Sequence, residues 1–110
     1  MDALIVLTTC PNKEVATELA RDLVHHKLAA CVNIIPHIQS IYRWHDAVEE
    51  AKEVLLLIKT TKACYADLET KILKQHPYEM PEMIALPLEK ASSAYLEWMT
   101  QSCIPPKRNH

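Results

Sequence analysis

His76 ends a stretch of helical apolar spacing and opens the segment His76-Pro77-Tyr78-Glu79-Met80-Pro81-Glu82. A neutral imidazole beside the carboxylates of Glu79 and Glu82 is a competent donor set for Cu²⁺ or Zn²⁺, and two prolines limit the entropy lost in holding it. Cys10, between a short apolar run and a helix start, could add a thiolate, because free backbone N–H groups and the helix dipole favour the charged form there. Both residues also have plainer uses. A histidine near a helix C-terminus interacts with free carbonyls and with the dipole, and a cysteine in a tight turn serves as a small buried residue. His25, His26 and His37 read as solvated.

The elements that must position these groups follow from spacing. Residues 3–9 form a short apolar, β-branched run that suits a strand buried on both faces, stopped by Cys10-Pro11-Asn12. From Lys13 to Lys27, apolar pairs recur every four residues at Val15, Ala16, Leu19, Ala20, Leu23 and Val24, which predicts an amphipathic helix with Asn12 as N-cap. Leu28 to Ile35 is a second strand, interrupted at Pro36 by a bulge or break and resumed through Ile38–Trp44. Neither face of Ile38–Trp44 is cleanly apolar, which suits a strand reaching past its own core toward a partner. His45-Asp46-Ala47 supplies a tight turn in which Asp46 best tolerates a left-handed conformation.

A long third strand begins polar at Glu49, Glu50, Lys52 and Glu53 and turns continuously apolar from Val54 to Ile58. Thr61 can cap a second helix over residues 62–75, with Cys64, Leu68 and Ile72 as its inner stripe, widened by Tyr65 and Leu73, ending before Pro77. Residues 83–88 read as a fourth strand that Pro87 assigns to an edge or a bulge. Ser92 or Ser93 caps a last helix through Tyr95, Leu96, Trp98 and Met99. The order predicts an α+β, ferredoxin-like βαββαβ sandwich with an added C-terminal helix, one domain over residues 1–103 with a frayed tail from 104 to 110.

Composition excludes several classes. The chain has no glycine among its 110 residues, so Walker-type loops, dinucleotide-binding turns and nucleophile elbows are absent in their usual form. Twelve Lys and Arg against fourteen Asp and Glu, spread along the sequence, leave no basic footprint for a nucleic acid partner. Four unevenly spaced cysteines without a C-x-x-C pair read as reduced thiols. The N-terminus, Met1-Asp2-Ala3-Leu4-Ile5-Val6-Leu7, lacks the basic region and long apolar core of an export signal, and no run suits a membrane helix. The expected location is the cytoplasm, with no direct membrane insertion.

Several strings together resemble the CutA family: Thr8-Thr9-Cys10-Pro11, Lys27-Leu28-Ala29-Ala30-Cys31-Val32-Asn33-Ile34-Ile35-Pro36 and Ser40-Ile41-Tyr42-Arg43-Trp44. The similarity continues through Glu53–Thr61, His76-Pro77-Tyr78-Glu79, Ile84-Ala85-Leu86-Pro87 and Tyr95-Leu96-Glu97-Trp98. Two departures stand out. Many relatives carry glycine where this chain has His45-Asp46-Ala47 and Glu89-Lys90-Ala91, and some place a metal-linked cysteine where it has Thr8.

The resemblance implies a homotrimer similar in shape to PII signalling proteins, with long hairpins adding strands across subunit boundaries, and a role in tolerance of divalent metals, copper in particular. In such a trimer Tyr42, Trp44, Tyr78 and Trp98 would line an inter-subunit cleft or pack the interface, and Lys59 would orient an anionic ligand there or pair with a glutamate. Binding of copper or another divalent metal, or of a small ligand, in a regulatory or homeostatic role is the function implied. A protein-anchoring role, suggested by animal relatives associated with membrane-bound acetylcholinesterase, and a PII-like signalling scaffold with incidental metal binding remain open. An enzyme using Cys10 or His76 would need a nucleophile, base and orienting group that the sequence does not name.

Overall fold

In the computed structural model, which describes residues 2–107, β1 (Ala3–Cys10), α1 (Lys13–His25), β2 (Cys31–Trp44), β3 (Ala47–Thr61), α2 (Lys62–Gln75), β4 (Ile84–Pro87) and α3 (Ser93–Ser102) follow in order. The strands form one antiparallel sheet in the order β2-β3-β1-β4. This is the ferredoxin-like arrangement expected from the element order, with α3 appended. β1 pairs with β3 in the register Val6↔Ile58, Thr8↔Leu56 and Cys10↔Val54. Side chains alternate across a strand, so these residues share one face, where Val6, Cys10, Leu56 and Ile58 pack with Leu19 and Leu23 of α1 and Leu68 and Ile72 of α2. Each fully buried leucine or isoleucine there contributes roughly 1.5–3 kcal/mol.

β1 is therefore not buried on both faces, as its continuous apolar run suggested. Ile5, Leu7, Leu55 and Leu57 on the opposite face are half-buried, while Ile84 and Leu86 of β4 are 48% and 49% exposed. The Ala3 end of that face is closed where Met99 of α3 joins the apolar cluster that contains Ala3, and at the opposite end Thr9 and Glu53 are buried. Pro87 sits on the edge strand, as its missing N–H requires.

α1 stops two residues before Lys27, and β2 begins at Cys31 rather than Leu28. The cause is a Schellman turn, in which Lys27 N–H donates to Val24 O (3.0 Å) and Leu28 N–H to Leu23 O (2.9 Å), with Lys27 at φ 60°. A glycine-free chain must put side-chain-bearing residues where the backbone turns left-handed, and His37, His45 and Asp46 do the same at φ 61°, 49° and 65°. His45 and Asp46 form the hairpin turn together, so Asp46 does not act alone. His37 marks the bulge, where the register steps from Ile35↔Leu55 to Ile38↔Glu53 and the side-chain phase of β2 inverts.

The Asn12 carboxamide accepts from Val15 N–H (2.9 Å) and the Ser92 hydroxyl from Tyr95 N–H (3.3 Å), as N-caps should. Thr61 holds the cap position of α2 but makes no side-chain cap bond. It is still strand-paired to Ala3 and buried, so its extended backbone belongs to the sheet. Leu73 is 51% exposed and does not widen the inner stripe of α2. Ile104 N–H donates to Lys27 O (2.9 Å), so the tail is tied at its first residue. Pro105 to Lys107 have no regular structure, and the rest of the expected frayed tail, residues 108–110, lies outside the described residues.

Candidate functional site

Three segments converge at one end of the sheet: the end of β1, the hairpin arm beyond the bulge, and the loop that follows α2. Between arm and loop lies a cleft of about 730 Å³ lined by Thr9, Ser40, Ile41, Tyr42, Arg43, Trp44, Glu49, Glu53, Tyr78, Glu79, Met80, Pro81 and Glu82. Because β2 changes phase at the bulge, Ser40, Tyr42 and Trp44 fall on the same side as Glu49 and Glu53 of β3, and Tyr42 is paired directly with Glu49.

The loop is held to the sheet by one hydrogen-bonded chain. Tyr78 N–H donates to His76 Nδ1 (3.1 Å), so the imidazole carries its proton on Nε2 and donates it to Thr9 O (2.7 Å). The Tyr78 hydroxyl donates to Glu53 Oε2 (2.6 Å), and the His76 and Tyr78 rings lie 4.7 Å apart. Glu53 is 8% exposed and His76 7%, so these bonds satisfy buried polar groups and position the loop wall of the cleft. Burial, then the hydrogen bond and charge of Glu53, push the Tyr78 phenol above its usual range, with smaller contributions from Cys10 and Tyr42.

The four residues expected to hold a metal stand in different settings in this arrangement. His76 spends both ring nitrogens on backbone groups and has no lone pair to offer a cation. Cys10 belongs to β1, fully buried, and its thiol is pushed up to about 11 by burial and by Glu53, which opposes the thiolate that a helix start would favour. Glu79 and Glu82 do line the cleft, both exposed on the loop. Among the described residues no three His, Cys, Asp or Glu side chains are grouped to hold a metal ion. The donors lining the cleft are four carboxylates, the hydroxyls of Thr9, Ser40, Tyr42 and Tyr78 and the thioether of Met80, an oxygen-rich set that suits hard cations and contains no imidazole or thiolate.

Of the residues expected to bind a ligand, Tyr42, Trp44 and Tyr78 line the cleft, and Lys59 and Trp98 do not. Lys59 lies six residues along β3 from Glu53, roughly 20 Å at strand rise. Its ammonium donates to Asn33 Oδ1 and stands 4.0 Å from Cys31 Sγ. Trp98 packs its ring on Tyr95 at 5.3 Å, and the Tyr95 hydroxyl, raised by burial and then by Cys31, belongs to that same second patch. Glu53, Glu49, Arg43 and Thr9 were missed as site residues. The signal for Glu53 was an acid at the point where β3 turns apolar, but its burial follows from the loop that closes over it.

Comparison with known proteins agrees with this fold. Residues 4–102 match the family model described as CutA1 divalent ion tolerance protein. The divalent-cation tolerance protein CutA of Thermus thermophilus is 45% identical over 98 residues, which cover 89% of this chain and 95% of that protein. Protein CutA of Homo sapiens is 50% identical over 93 residues, covering 84% of this chain and 52% of that protein, so the chain spans about half the human length. Among solved structures, the Thermus thermophilus divalent cation tolerance protein superposes with a TM-score of 0.90 at 44% identity, covering 92% of this chain and 98% of that one. CutA1 from Oryza sativa gives 0.91 at 40% identity, covering 94% and 95%. None of these names designates an enzymatic activity. Matched in sequence over nearly its whole length and in structure by solved members, the chain belongs to the CutA1 divalent ion tolerance family.

Proposed function

We propose that the protein works as a homotrimer that takes up a divalent cation or a small ligand in the cleft between hairpin arm and loop, in a homeostatic or regulatory role and without catalysing a reaction. The observation that carries this reading is the cleft itself, with carboxylates on both walls, Glu49 and Glu53 on the arm and Glu79 and Glu82 on the loop. Within one subunit these donors do not complete a metal shell, so a divalent cation such as Cu²⁺ or Zn²⁺ would need groups from a neighbour. The trimer is supported by the apolar face of Ile5, Leu7, Leu55 and Leu57, continued by the exposed Ile84 and Leu86, which no helix covers beyond the Ala3 end. The functional unit is residues 1–103, acting in the cytoplasm without a nucleic acid partner. Four unpaired cysteines accord with a reducing compartment, and among the described residues no helix is long and apolar enough to cross a membrane.

Light scattering should return a trimer at micromolar concentration, and a stable monomer would overturn the assembly. Calorimetric titration of Cu²⁺, Zn²⁺ and the oxygen-preferring Mn²⁺ into wild type and a Glu79→Gln/Glu82→Gln variant tests the site, at fixed pH because ligand protons compete. Loss of true ligands weakens binding by roughly tenfold or more, about 1.4 kcal/mol. Equal binding by both proteins would assign any bound metal to stray surface histidines.

A further inference from the structure

We propose that the ligand class the cleft is built for is an organic cation with primary ammonium groups, an aliphatic diamine or polyamine; this rests on the reading of the cleft as a ligand site. Carboxylates alone would not single out such a ligand, since they serve a metal ion equally well. The aromatic walls do. Tyr42 and Trp44 on the arm and Tyr78 on the loop line the same space as the four glutamates, and ring faces attract ammonium groups and cover methylene chains, whereas they offer a metal ion no donor.

The chemistry discriminates further. Against four lining carboxylates stands one guanidinium, Arg43, so an anionic ligand is disfavoured. A primary ammonium donates charge-assisted hydrogen bonds that carboxylates accept, which a quaternary ammonium cannot do. Acids on two facing walls favour two or more separated ammonium groups over one, with the chain between them lying along the rings. At about 730 Å³ the cleft is within the usual range for small-molecule sites. Glu53 is held by the Tyr78 hydroxyl through one oxygen, so one carboxylate stands preorganised before a ligand arrives.

The test is calorimetric titration of spermidine and putrescine at low salt, with 1,4-butanediol as the uncharged analogue of putrescine and with Zn²⁺ and Mn²⁺ titrated in parallel. Variants are Glu79→Gln/Glu82→Gln on the exposed loop, Glu53→Gln, Trp44→Leu, and Glu97→Gln on α3 as a control outside the cleft. Spermidine should bind wild type and the control alike. The loop double variant should bind it roughly tenfold or more weakly, and Trp44→Leu about threefold more weakly. Butanediol should not bind, and added NaCl should weaken the amine. If Glu53→Gln fails to fold, the loop variant still decides the question. Spermidine that does not bind, or that binds wild type and the loop double variant equally, overturns the amine. If Zn²⁺ or Mn²⁺ then depends on Glu79 and Glu82, the cleft reading stands and only the ligand class falls; if no cation depends on them, both fall.

Discussion

At its base the β2–β3 hairpin is half of a hydrophobic core, and beyond the bulge the same two strands have no helix against them. Leu56 and Ile58 are fully buried, whereas Ile41 and Val48 on the arm are 64% and 67% exposed. Backbone pairing is continuous through both parts apart from the one step at Ile35/Ile38, so the difference does not lie in the ladder. It lies in what covers the side chains. A strand pair is stabilised by the faces it buries, and beyond Glu53 the arm leaves most of its side chains exposed, so it adds little to the core of this chain. The cleft forms at the seam, where the bulge turns Tyr42 and Trp44 to the side of Glu53 and the His76–Glu82 loop closes over it.

The largest expected effect contrasts base with arm. Leu56→Ala should cost about 2–5 kcal/mol in urea denaturation at any protein concentration, since it leaves a cavity in the helix-covered core. Ile41→Ala should cost less, and its cost should vary with protein concentration, because Ile41 can lose apolar area only against another subunit. A loss equal to that of Leu56→Ala and independent of concentration would erase the contrast.

At the seam, His76→Ala should cost about 1–3 kcal/mol without any metal present, because it orphans Thr9 O and Tyr78 N–H in a buried setting. That separates a strut from a ligand. A variant as stable as wild type that lost only cation affinity would restore His76 to the metal set.

The smallest effect is absent at neutral pH and emerges in alkali. Cys10 is raised from its ordinary value of 9.0 to about 11, and Tyr78 above its ordinary 10.0. A folded-state value above the unfolded one gives stability that is complete below the unfolded value and fades as pH rises through the folded one. The Cys10 contribution should therefore fade between pH 9 and about 11, and that of Tyr78 above pH 10. Urea midpoints followed from pH 7 upward should hold level and then fall from about pH 9. Tyr78→Phe, which has no proton to lose, should fall less steeply above pH 10. A midpoint that rises with alkali, or a Tyr78→Phe profile identical to wild type, would contradict the part-buried Glu53–Tyr78 hydrogen bond.

Much of the fold was legible because it depends on neighbours in the chain. The four-residue apolar spacing of α1, the Asn12 and Ser92 caps, the proline that ends α2 and the one that keeps β4 at an edge are local constraints, and their order sets the sheet topology. The Lys27 turn was hidden because the usual marker, glycine, is missing from the chain. The site was less legible, since its chemistry depends on contacts between distant segments. His76 reads equally as ligand or strut until Thr9, 67 residues away, accepts its proton. Glu53 is a buried acid with a partner because the loop closes over it and Tyr78, 25 residues on, donates to it. Whether Cys10 is an exposed thiolate or a core thiol, and whether Lys59 faces the cleft or the far patch, is decided by burial and register. Residue types and spacing determined the elements and the candidate donors; the tertiary structure decided which lone pairs were free, because hydrogen bonding and desolvation act through space.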